Sequence, residues 1–435
     1  MFDATAEPII ALSHIDMNFT KPSGGTLPVL SGIDVTVHNG EILGLLGRSG
    51  SGKSTLLRIA GGLIKPSAGN VVYRNAPLAG PAEGIAVVFQ TFALYPWLTV
   101  LENVELGLDA AKLRAEEARR RAMSAIDLIG LDGFQSAYPR ELSGSMRQRV
   151  GFARALVSDP ILLLMDEPFS ALDVLTAETL RTDFLDLWVG HQLPTKAVLM
   201  VTHNIEEAVL MCDRIVVLGA NPGHVAAEIR VPLAQPRNRL DAAFHAIVDE
   251  IYAILTSRMT EAMGSQSQIH GGLVRQLPEV AATRLGGFVE ALAAPPFGGR
   301  AELAKIARTL ALSSKRLFPI AAALHLLEFA ELEGGTIKLT AAGRVLAQSD
   351  IDGRKRLFRQ HLIRFVPLAA HIRQVLDERE THAAPRGRFE YELEDHLPRR
   401  EADRTMRTAI DWARYAELFT YNDRTRSFSL DRAAA

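Results

Sequence analysis

The stretch from Glu41 to Leu57, EILGLLGRSGSGKSTLL, constrains the fold more than any other part of the chain. The apolar run at 42–46 predicts a buried strand, and the residues after Ser54 predict a helix. Between them lies the pattern G-x-x-x-x-G-K-S, typical of a loop whose glycines let backbone N–H groups point at phosphate oxygens. Lys53 is expected to add a positive charge near the β- and γ-phosphates, and the Ser54 hydroxyl is expected to ligate Mg²⁺. The predicted phosphate-binding residues are Gly47, Arg48, Ser49, Gly50, Ser51, Gly52, Lys53, Ser54 and Thr55.

Length and composition limit what surrounds this loop. A chain of 435 residues is too long for one ordinary domain, so two or three are expected. The single cysteine, Cys212, excludes an internal disulfide framework and suits a reducing compartment. The first ten residues, MFDATAEPII, show no signal-peptide pattern, and no apolar run approaches the roughly 18 residues that span a bilayer. Any membrane role is therefore expected to be peripheral, through a partner.

Short apolar runs alternate with helical patterns through the first 230 residues. Such alternation predicts an α/β fold with a largely parallel sheet covered on both faces. The segment at 91–139 is mostly helical in pattern, with Ala, Arg and Glu at helical spacing at 110–130. The predicted buried strands lie at 42–46, 84–89, 161–165, 197–202 and 213–219.

Polar residues stand at the ends of three of these strands. Gln90 follows the run at 84–89, Asp166 and Glu167 end the run at 161–165, and His203 follows the run at 197–202. The carboxyl ends of parallel strands are where ligands of such sheets bind. Paired carboxylates there suit a metal ligand beside a group that polarises water. The alternatives are a surface glutamine, a helix-capping acid pair and a structural histidine.

Two further motifs make the pattern specific. Leu142-Ser143-Gly144-Ser145-Met146-Arg147-Gln148-Arg149 resembles the signature LSGGQ at a helix start, and the acid pair continues into Pro168-Phe169-Ser170-Ala171-Leu172-Asp173. In order and spacing, residues 8–262 resemble the ATP-binding subunit of an ATP-binding-cassette (ABC) transporter. The resemblance implies a P-loop NTPase fold, with a RecA-like sheet core and a helical subdomain at about 91–157.

The resemblance also implies roles for the strand-end residues. Gln90 is expected to reach Mg²⁺ and the attacking water, and Asp166 to hold Mg²⁺ through water. Glu167 is expected to polarise the attacking water, with His203 contacting the γ-phosphate. Phe19 stands where the family places an aromatic ring against adenine, although a buried strand residue is an equal explanation.

The signature implies a second copy of the chain. In the family, the equivalents of Ser143, Gly144 and Ser145 present hydroxyl and N–H groups to ATP held by the other subunit. Asp173 lies in the matching dimer-contact loop. The chain has one phosphate loop and one signature, so a head-to-tail dimer with two ATP at its interface is expected. Ser145 replaces the second glycine, and its Cβ at a close-approach position predicts attenuated rather than lost activity.

The branch of the family follows from local sequence. Stretches 92–104, 166–173 and 201–223 look like those of importers of the nitrate, sulfonate and taurine group. In that group a periplasmic binding protein delivers substrate to integral-membrane permease subunits, with the ATPase on the cytoplasmic face of the inner membrane. The cluster Phe92, Leu94, Tyr95 and Trp97 then suits a permease coupling helix, while core of the helical subdomain is the alternative.

The remaining chain predicts a linker at 263–275 and a second, α+β domain at 276–432. A weak repeat is visible: helices at 300–310 and 316–329 with a hairpin at 331–340, then helices at 391–396 and 401–419 with a hairpin at 420–430. We interpret these as two winged-helix units joined by a helical spacer at 355–380. The segments 329–332 and 415–418 are taken to occupy equivalent positions before the two hairpins. The region resembles a domain appended to some ABC ATPases of the nitrate/sulfonate type.

Regulation or dimerisation is the favoured role for this domain. Its candidate recognition helix at 316–329 is apolar on nearly every face, which indicates core rather than base reading. His361, His371, His382 and His396 lack metal-ligand spacing. A soluble ABC ATPase that acts on nucleic acid is the alternative from another class, but the paired cassettes or long coiled-coil insertion that it predicts are missing from the sequence.

Overall fold

The computed structural model describes residues 7–20, 25–48, 50–111, 113–220, 222–269, 276–395 and 397–430. The chain divides into two compact units, Met1–Val248 and Asp249–Ala435. None of the helices in these described ranges combines the length and the apolar content needed to cross a bilayer.

The first unit alternates strands and helices. Its strands are β1 (Pro8–Thr20), β2 (Thr26–His38), β3 (Ile42–Gly47), β4 (Ala68–Tyr73), β5 (Ala76–Pro77), β6 (Ile85–Val88), β7 (Leu162–Asp166), β8 (Ala197–Thr202), β9 (Arg214–Leu218) and β10 (Val225–Arg230). Its helices are α1 (Lys53–Ala60), α2 (Val100–Glu105), α3 (Ala115–Leu128), α4 (Gly144–Leu156), α5 (Val174–Val189) and α6 (Ile205–Met211). Helix α7 (Ala242–Ile269) follows.

The central sheet has the strand order β10-β9-β3-β8-β7-β6 and is parallel except for β10. Every residue of β3, β7, β8 and β9 is buried, as expected for strands covered on both faces. The strands β3, β8, β7 and β6 are successive neighbours, so the loops after them share one edge. A separate antiparallel sheet has the order β2-β1-β4-β5.

The helical subdomain begins later than the sequence pattern indicated. Residues 91–99 form no helix, and α2 begins at Val100. Thr99 caps this helix in a capping box with Glu102, whose carboxylate accepts the Thr99 N–H at 2.7 Å. The cap sets the start of the helix, and the preceding residues 91–99 form bends and a turn.

The second unit contains two copies of one arrangement. The first copy consists of α8 (Ala282–Ala293), β11 (Arg300–Glu302), α9 (Leu303–Thr309), α10 (Ser314–Leu326), β12 (Ala330–Glu333) and β13 (Thr336–Leu339). Two helices follow, α11 (Ala341–Gln348) and α12 (Ile351–Phe365). The second copy consists of α13 (Pro367–Glu378), β14 (Ala383–Pro385), α14 (Arg386–Glu394), α15 (Arg399–Tyr415), β15 (Thr420–Asn422) and β16 (Ser427–Ser429).

The two copies share sheet topology and backbone hydrogen bonds. Their sheets have the orders β11-β13-β12 and β14-β16-β15. In each copy the first helical residue after the first strand bonds to the hairpin turn: Leu303 N–H to Gly335 O, and Arg386 N–H to Arg426 O, both at 2.8 Å. The order helix–strand–helix–helix–hairpin is that of a winged helix, and it occurs twice.

Several boundaries predicted for this unit are wrong. The first three residues of the helix predicted at 300–310 form strand β11, which pairs with β13. The prediction missed this strand because three residues are too few to show an alternating pattern. The equivalent strand β14 was also missed, and the helix predicted at 391–396 is α14. His396 lies outside the described residues. The final hairpin, predicted at 420–430, turns over residues 423–426.

The segment that connects the two copies and the alignment of one copy with the other also differ from the prediction. Helix α13 is the first helix of the second copy, so the connection between copies is α11 and α12. Glu328 and Glu417 both have positive φ, 55° and 51°, immediately after the second helix of each copy. Glu328 therefore occupies the position of Glu417 in the other copy. The predicted alignment of 329–332 with 415–418, which pairs Glu331 with Glu417, is wrong by three residues. Residues 263–269 of the predicted linker are helical, while 270–275 lie outside the described ranges.

Candidate active site

The phosphate loop leaves the carboxyl end of β3 and enters α1. Lys53 is 7 % exposed, and its Nζ donates hydrogen bonds to the carbonyls of Gly47 at 2.8 Å and Arg48 at 2.9 Å. The ammonium group thus lies inside the curve of its own loop, where a phosphate would meet it. Ser49 is outside the described residues.

Two glycines of this loop are required by close approach. A Cβ at Gly47 would lie 2.7 Å from Ser51 Oγ and 2.8 Å from the Leu218 carbonyl. Gly52 has φ 86°, and a Cβ there would lie 2.4 Å from Leu30 Cδ2. A Cβ on Gly50, whose φ is 87°, would have no atom of a described residue beyond its chain neighbours within 4 Å. The loop therefore packs tightly on one side and is open on the other, as a cradle must be.

The start of α1 fits an anion. Ser51 Oγ is fully buried and has no hydrogen-bond partner among the described residues. In the part of the chain that the structure describes, no side chain caps α1, whereas α4, α5 and α6 each begin with a capping hydroxyl, carboxylate or amide. Uncapped N–H groups at a helix N-terminus, together with a buried hydroxyl, suit phosphate oxygens.

Ser54 and Asp166 bring the loop to the end of β7. The Ser54 hydroxyl donates to Asp166 Oδ1 at 2.8 Å. Burial raises the pKa of Asp166, which is 8 % exposed, and the hydrogen bond from Ser54 opposes that rise. Magnesium sites that also use substrate phosphates need only one or two carboxylates from the protein. The Ser54 hydroxyl and the Asp166 carboxylate therefore fit such a cation.

Three strand ends meet at Glu167. Its Oε2 accepts a hydrogen bond from Gln90 Nε2 at 3.0 Å and lies 3.1 Å from His203 Nδ1. The Glu167 backbone has φ 47° and its N–H donates to the Val201 carbonyl at 2.9 Å. A residue other than glycine rarely adopts this conformation, so neighbouring strands hold it in place. The structure thus brings the side chains of Gln90, Glu167 and His203 together at one place.

The signature residues and Asp173 cap their own helices. Ser143 Oγ accepts the Met146 N–H at 3.2 Å at the start of α4, and Ser145 Oγ lies 2.8 Å from Ser143 Oγ. Asp173 accepts the Thr176 N–H at 3.0 Å at the start of α5. Hydrogen bonds from the Thr176 side chain and then from its backbone N–H lower the pKa of Asp173. Met146 is a second departure from LSGGQ, since it stands where that pattern has glutamine.

The predicted aromatic contacts lie at the surface. Phe19 in β1 is 42 % exposed, which excludes the alternative that it is a buried strand residue. Tyr95 and Trp97 are 46 % and 68 % exposed, with ring centroids 5.2 Å apart, so these two are not core of the helical subdomain. The segment is anchored by Arg154, which donates to the Phe92 and Ala93 carbonyls.

Sequence reasoning missed a buried set behind His203. The Thr202 hydroxyl donates to Glu207 Oε2 at 2.5 Å, and Glu207 Oε1 lies 3.5 Å from Arg181 Nη1. Asn204 and Glu207 have the spacing of a capping box, but only half of one forms: the Glu207 N–H donates to Asn204 Oδ1 at 3.3 Å. The Glu207 side chain instead turns inward to Thr202.

Comparisons with known proteins agree with this geometry. The family described as ABC transporter matches residues 30–170, and the family described as C-terminal AAA-associated domain matches residues 304–422. The nitrate import ATP-binding protein NrtD of Synechocystis sp. is 40 % identical over 246 residues, which cover 54 % of this chain and 91 % of NrtD. The chain belongs to the ABC transporter ATP-binding proteins. The family predicted from the motifs is confirmed.

Other relatives of this ABC ATPase include importers by name. The taurine import ATP-binding protein TauB of Pseudomonas fluorescens is 40 % identical over 226 residues, covering 52 % of this chain and 84 % of TauB. A solved dimeric ATP-binding cassette in a post-hydrolysis state, bound to ADP and Pi, is 33 % identical. It covers 52 % of this chain and all of that cassette, with a TM-score of 0.46. ABC cassettes bind and hydrolyse ATP, and this chain is an ATPase of that type.

Proposed function

We propose that this chain is the ATP-hydrolysing subunit of a membrane importer for nitrate, a sulfonate, taurine or a similar small anion. The observation that supports the catalytic part most directly is the convergence of Gln90 and His203 on Glu167 Oε2 beside the phosphate loop. The named activities of NrtD and TauB support the transport part.

The phosphate loop binds the ATP triphosphate. Backbone N–H groups from Gly50 to Thr55, the buried Ser51 hydroxyl and the Lys53 ammonium face the β- and γ-phosphates, and Phe19 stacks on adenine. Ser54, Asp166 and Gln90 hold Mg²⁺, which when bound neutralises charge on the phosphate oxygens. Positioning and charge stabilisation supply most of the catalysis, as in other phosphoryl transfers.

Glu167 acts on the attacking water. Its carboxylate accepts a water proton as the water oxygen bonds to the γ-phosphorus. The bond from that phosphorus to the bridging oxygen breaks, giving ADP and phosphate. Gln90 and His203 hold the carboxylate in one orientation, and His203 also contacts the γ-phosphate.

Two copies complete each site. Ser143, Gly144 and Ser145 of one copy face the γ-phosphate bound by the other, with Asp173 at the contact between copies. ATP binding closes this head-to-tail dimer and hydrolysis reopens it. The start of α4 suits that role, since hydroxyl groups and helix N–H groups lie together there.

A permease is the proposed membrane partner. The exposed Tyr95 and Trp97 side chains, anchored through Arg154 to α4, offer an aromatic surface for a coupling helix. The ATPase then lies peripherally on the cytoplasmic face of the inner membrane, and a periplasmic substrate-binding protein acts on the other side through the permease.

Affinity capture from detergent-solubilised membranes tests this assembly. The tagged chain is expected to co-purify with a polytopic membrane protein, and alanine at both Tyr95 and Trp97 is expected to lose that protein while ATP binding persists. Recovery of nucleic acid without a membrane protein would contradict the importer.

The nucleic-acid alternative is not favoured by the second unit. Helix α10, the recognition position of the first winged helix, is buried at nine of its thirteen residues. Helix α15, its counterpart, carries exposed arginines, but Arg407 pairs with Asp403 and Arg414 with Asp423. Arginines already paired with carboxylates make a poor phosphate-binding surface. We propose that this unit gates the ATPase.

Replacing Ser145 by glycine is expected to raise the maximal ATPase rate about two- to tenfold. The change removes a Cβ from a close-approach position and frees Ser143 Oγ from its 2.8 Å contact with Ser145 Oγ. Steady-state phosphate release at saturating ATP measures the rate. Ser158→Gly, a hydroxyl deletion elsewhere in the first unit, should not raise it. An unchanged rate in Ser145→Gly would show that the signature serine is neutral.

A further inference from the structure

The buried hydroxyl of Thr202 forms hydrogen bonds that restrain the turn that carries His203. Thr202 is 1 % exposed at the end of β8, and its Oγ1 donates to Glu207 Oε2 at 2.5 Å. Thr202 Oγ1 also accepts a hydrogen bond from the Asn204 N–H at 3.0 Å. The residues on both sides of His203 are therefore joined through the Thr202 side chain, which restricts the backbone that aims the imidazole.

Glu207 is itself fixed by its surroundings. It is 6 % exposed and lies in the first turn of α6, where its N–H donates to Asn204 Oδ1. Its second carboxylate oxygen faces Arg181 Nη1 at 3.5 Å, and Arg181 Nε donates to the Ala177 carbonyl at 3.1 Å. A buried carboxylate that lost these partners would leave an uncompensated charge, so it has little freedom to move.

Arg181 links this set to another functional helix. It belongs to α5, which begins directly after Asp173 and is capped by that residue. One chain of contacts therefore runs from α5 through Arg181, Glu207 and Thr202 to the His203 turn. Its far end is the 3.1 Å contact between His203 Nδ1 and Glu167 Oε2.

We propose that Glu207 is a positioning residue that aims His203 at Glu167 through the Thr202 hydroxyl and ties this aim to helix α5 through Arg181. This inference rests on the proposed roles of Glu167 and His203. A displacement of about 1 Å at a reacting group can cost up to about a hundredfold in rate, so loss of this restraint should act on turnover rather than on ATP binding.

A matched pair at Thr202 tests the inference. Thr202→Val keeps the shape and the strand preference but removes the hydroxyl, while Thr202→Ser keeps the hydroxyl and removes a methyl group. We expect Thr202→Val to lower kcat about tenfold with KM for ATP within about twofold of wild type, and Thr202→Ser to retain kcat within about twofold. A purely structural role would lower the melting temperature of both variants and leave kcat per folded molecule unchanged.

Glu207→Gln provides a second variant in case Thr202→Val does not fold. It should also lower kcat, and the neighbouring change Glu206→Gln, with the same loss of charge on the same helix, should not. The double variant Thr202→Val/Glu207→Gln should lose no more than the worse single variant, because both act through one hydrogen bond. Wild-type kcat in Glu207→Gln, or additive losses in the double variant, would overturn the inference.

A measurement without turnover separates this inference from the proposed function. In nucleotide-free protein with isotope-labelled histidine, the His203 ring signals, assigned from His203→Gln, report its contact with Glu167. Thr202→Val should move them in the same direction as Glu167→Gln does, and Thr202→Ser should leave them in place. Unmoved signals in Thr202→Val would overturn the positioning role whether or not the wild-type chain hydrolyses ATP.

Discussion

Replacement of Glu167 by glutamine is expected to lower ATP turnover by at least about 100-fold while ATP affinity stays within about threefold of wild type. The amide is isosteric with the carboxylate, and its carbonyl oxygen can still accept from Gln90, which now donates at 3.0 Å. What disappears is the ability to take a proton from water, and a positioned general base contributes about 10²- to 10⁴-fold.

The measurement pairs a binding titration with single-turnover hydrolysis. Fluorescent ATP-analogue binding gives the affinity, and radiolabelled phosphate release gives the rate of the chemical step. Glu116→Gln, the same change at an exposed carboxylate in the first turn of α3, serves as the matched control and should behave as wild type. If Glu167→Gln keeps its turnover, another group activates the water.

The local pattern of the sequence was sufficient to predict the part of the site that depends on strand order. Each buried strand appears as a short apolar run, and β3 at Ile42–Gly47 and β8 at Ala197–Thr202 lie within one residue of their predicted bounds. Because ligands of parallel sheets bind at the carboxyl ends of the strands, Asp166 and Glu167 could be placed at the site from the pattern itself, and the resemblance to ABC ATPases added Gln90 and His203. Gln90 and His203 do meet there, at Glu167.

Contacts that depend on tertiary packing could not be read from the same pattern. Arg181 and Glu207 are charged residues on two helices, and each would be assigned to solvent by local sequence. Both are buried, and the Arg181 Nη1 and Glu207 Oε1 atoms lie 3.5 Å apart although the residues belong to separate helices. The pairing of Glu41 with Arg214, which are 173 residues apart and joined at 2.7 Å, is hidden for the same reason.

Very short elements were lost for a different reason. Strands β11 and β14 contain three residues each, and period-two alternation needs about four to eight residues to be recognised. Each is stabilised by pairing with a hairpin strand more than 30 residues away, such as Ala301 with Ile337. The repeat in the second unit becomes clear only when these pairings are seen together.

Replacement of Lys53 by alanine is expected to weaken ATP binding by about 10- to 100-fold and to lower kcat/KM by at least about 1,000-fold. A hydrogen bond to a charged group contributes about 1.5–3 kcal/mol, and each 1.4 kcal/mol is a tenfold change in affinity. Lys53 would contact both the β- and γ-phosphates, so its loss acts on binding and on the transition state together. Glu167→Gln, by contrast, should act on turnover alone.

Two further variants make the Lys53 result specific. Lys65→Ala removes an exposed ammonium just beyond α1 and should leave both constants unchanged. Lys53→Arg keeps the charge, but its planar guanidinium does not fit the space between the Gly47 and Arg48 carbonyls, which now hold Nζ at 2.8 and 2.9 Å. We expect Lys53→Arg to bind ATP more weakly than wild type and more tightly than Lys53→Ala, as measured by titration and by the rise in melting temperature with ATP. An unchanged ATP affinity in Lys53→Ala would remove the loop centred on this lysine from nucleotide binding.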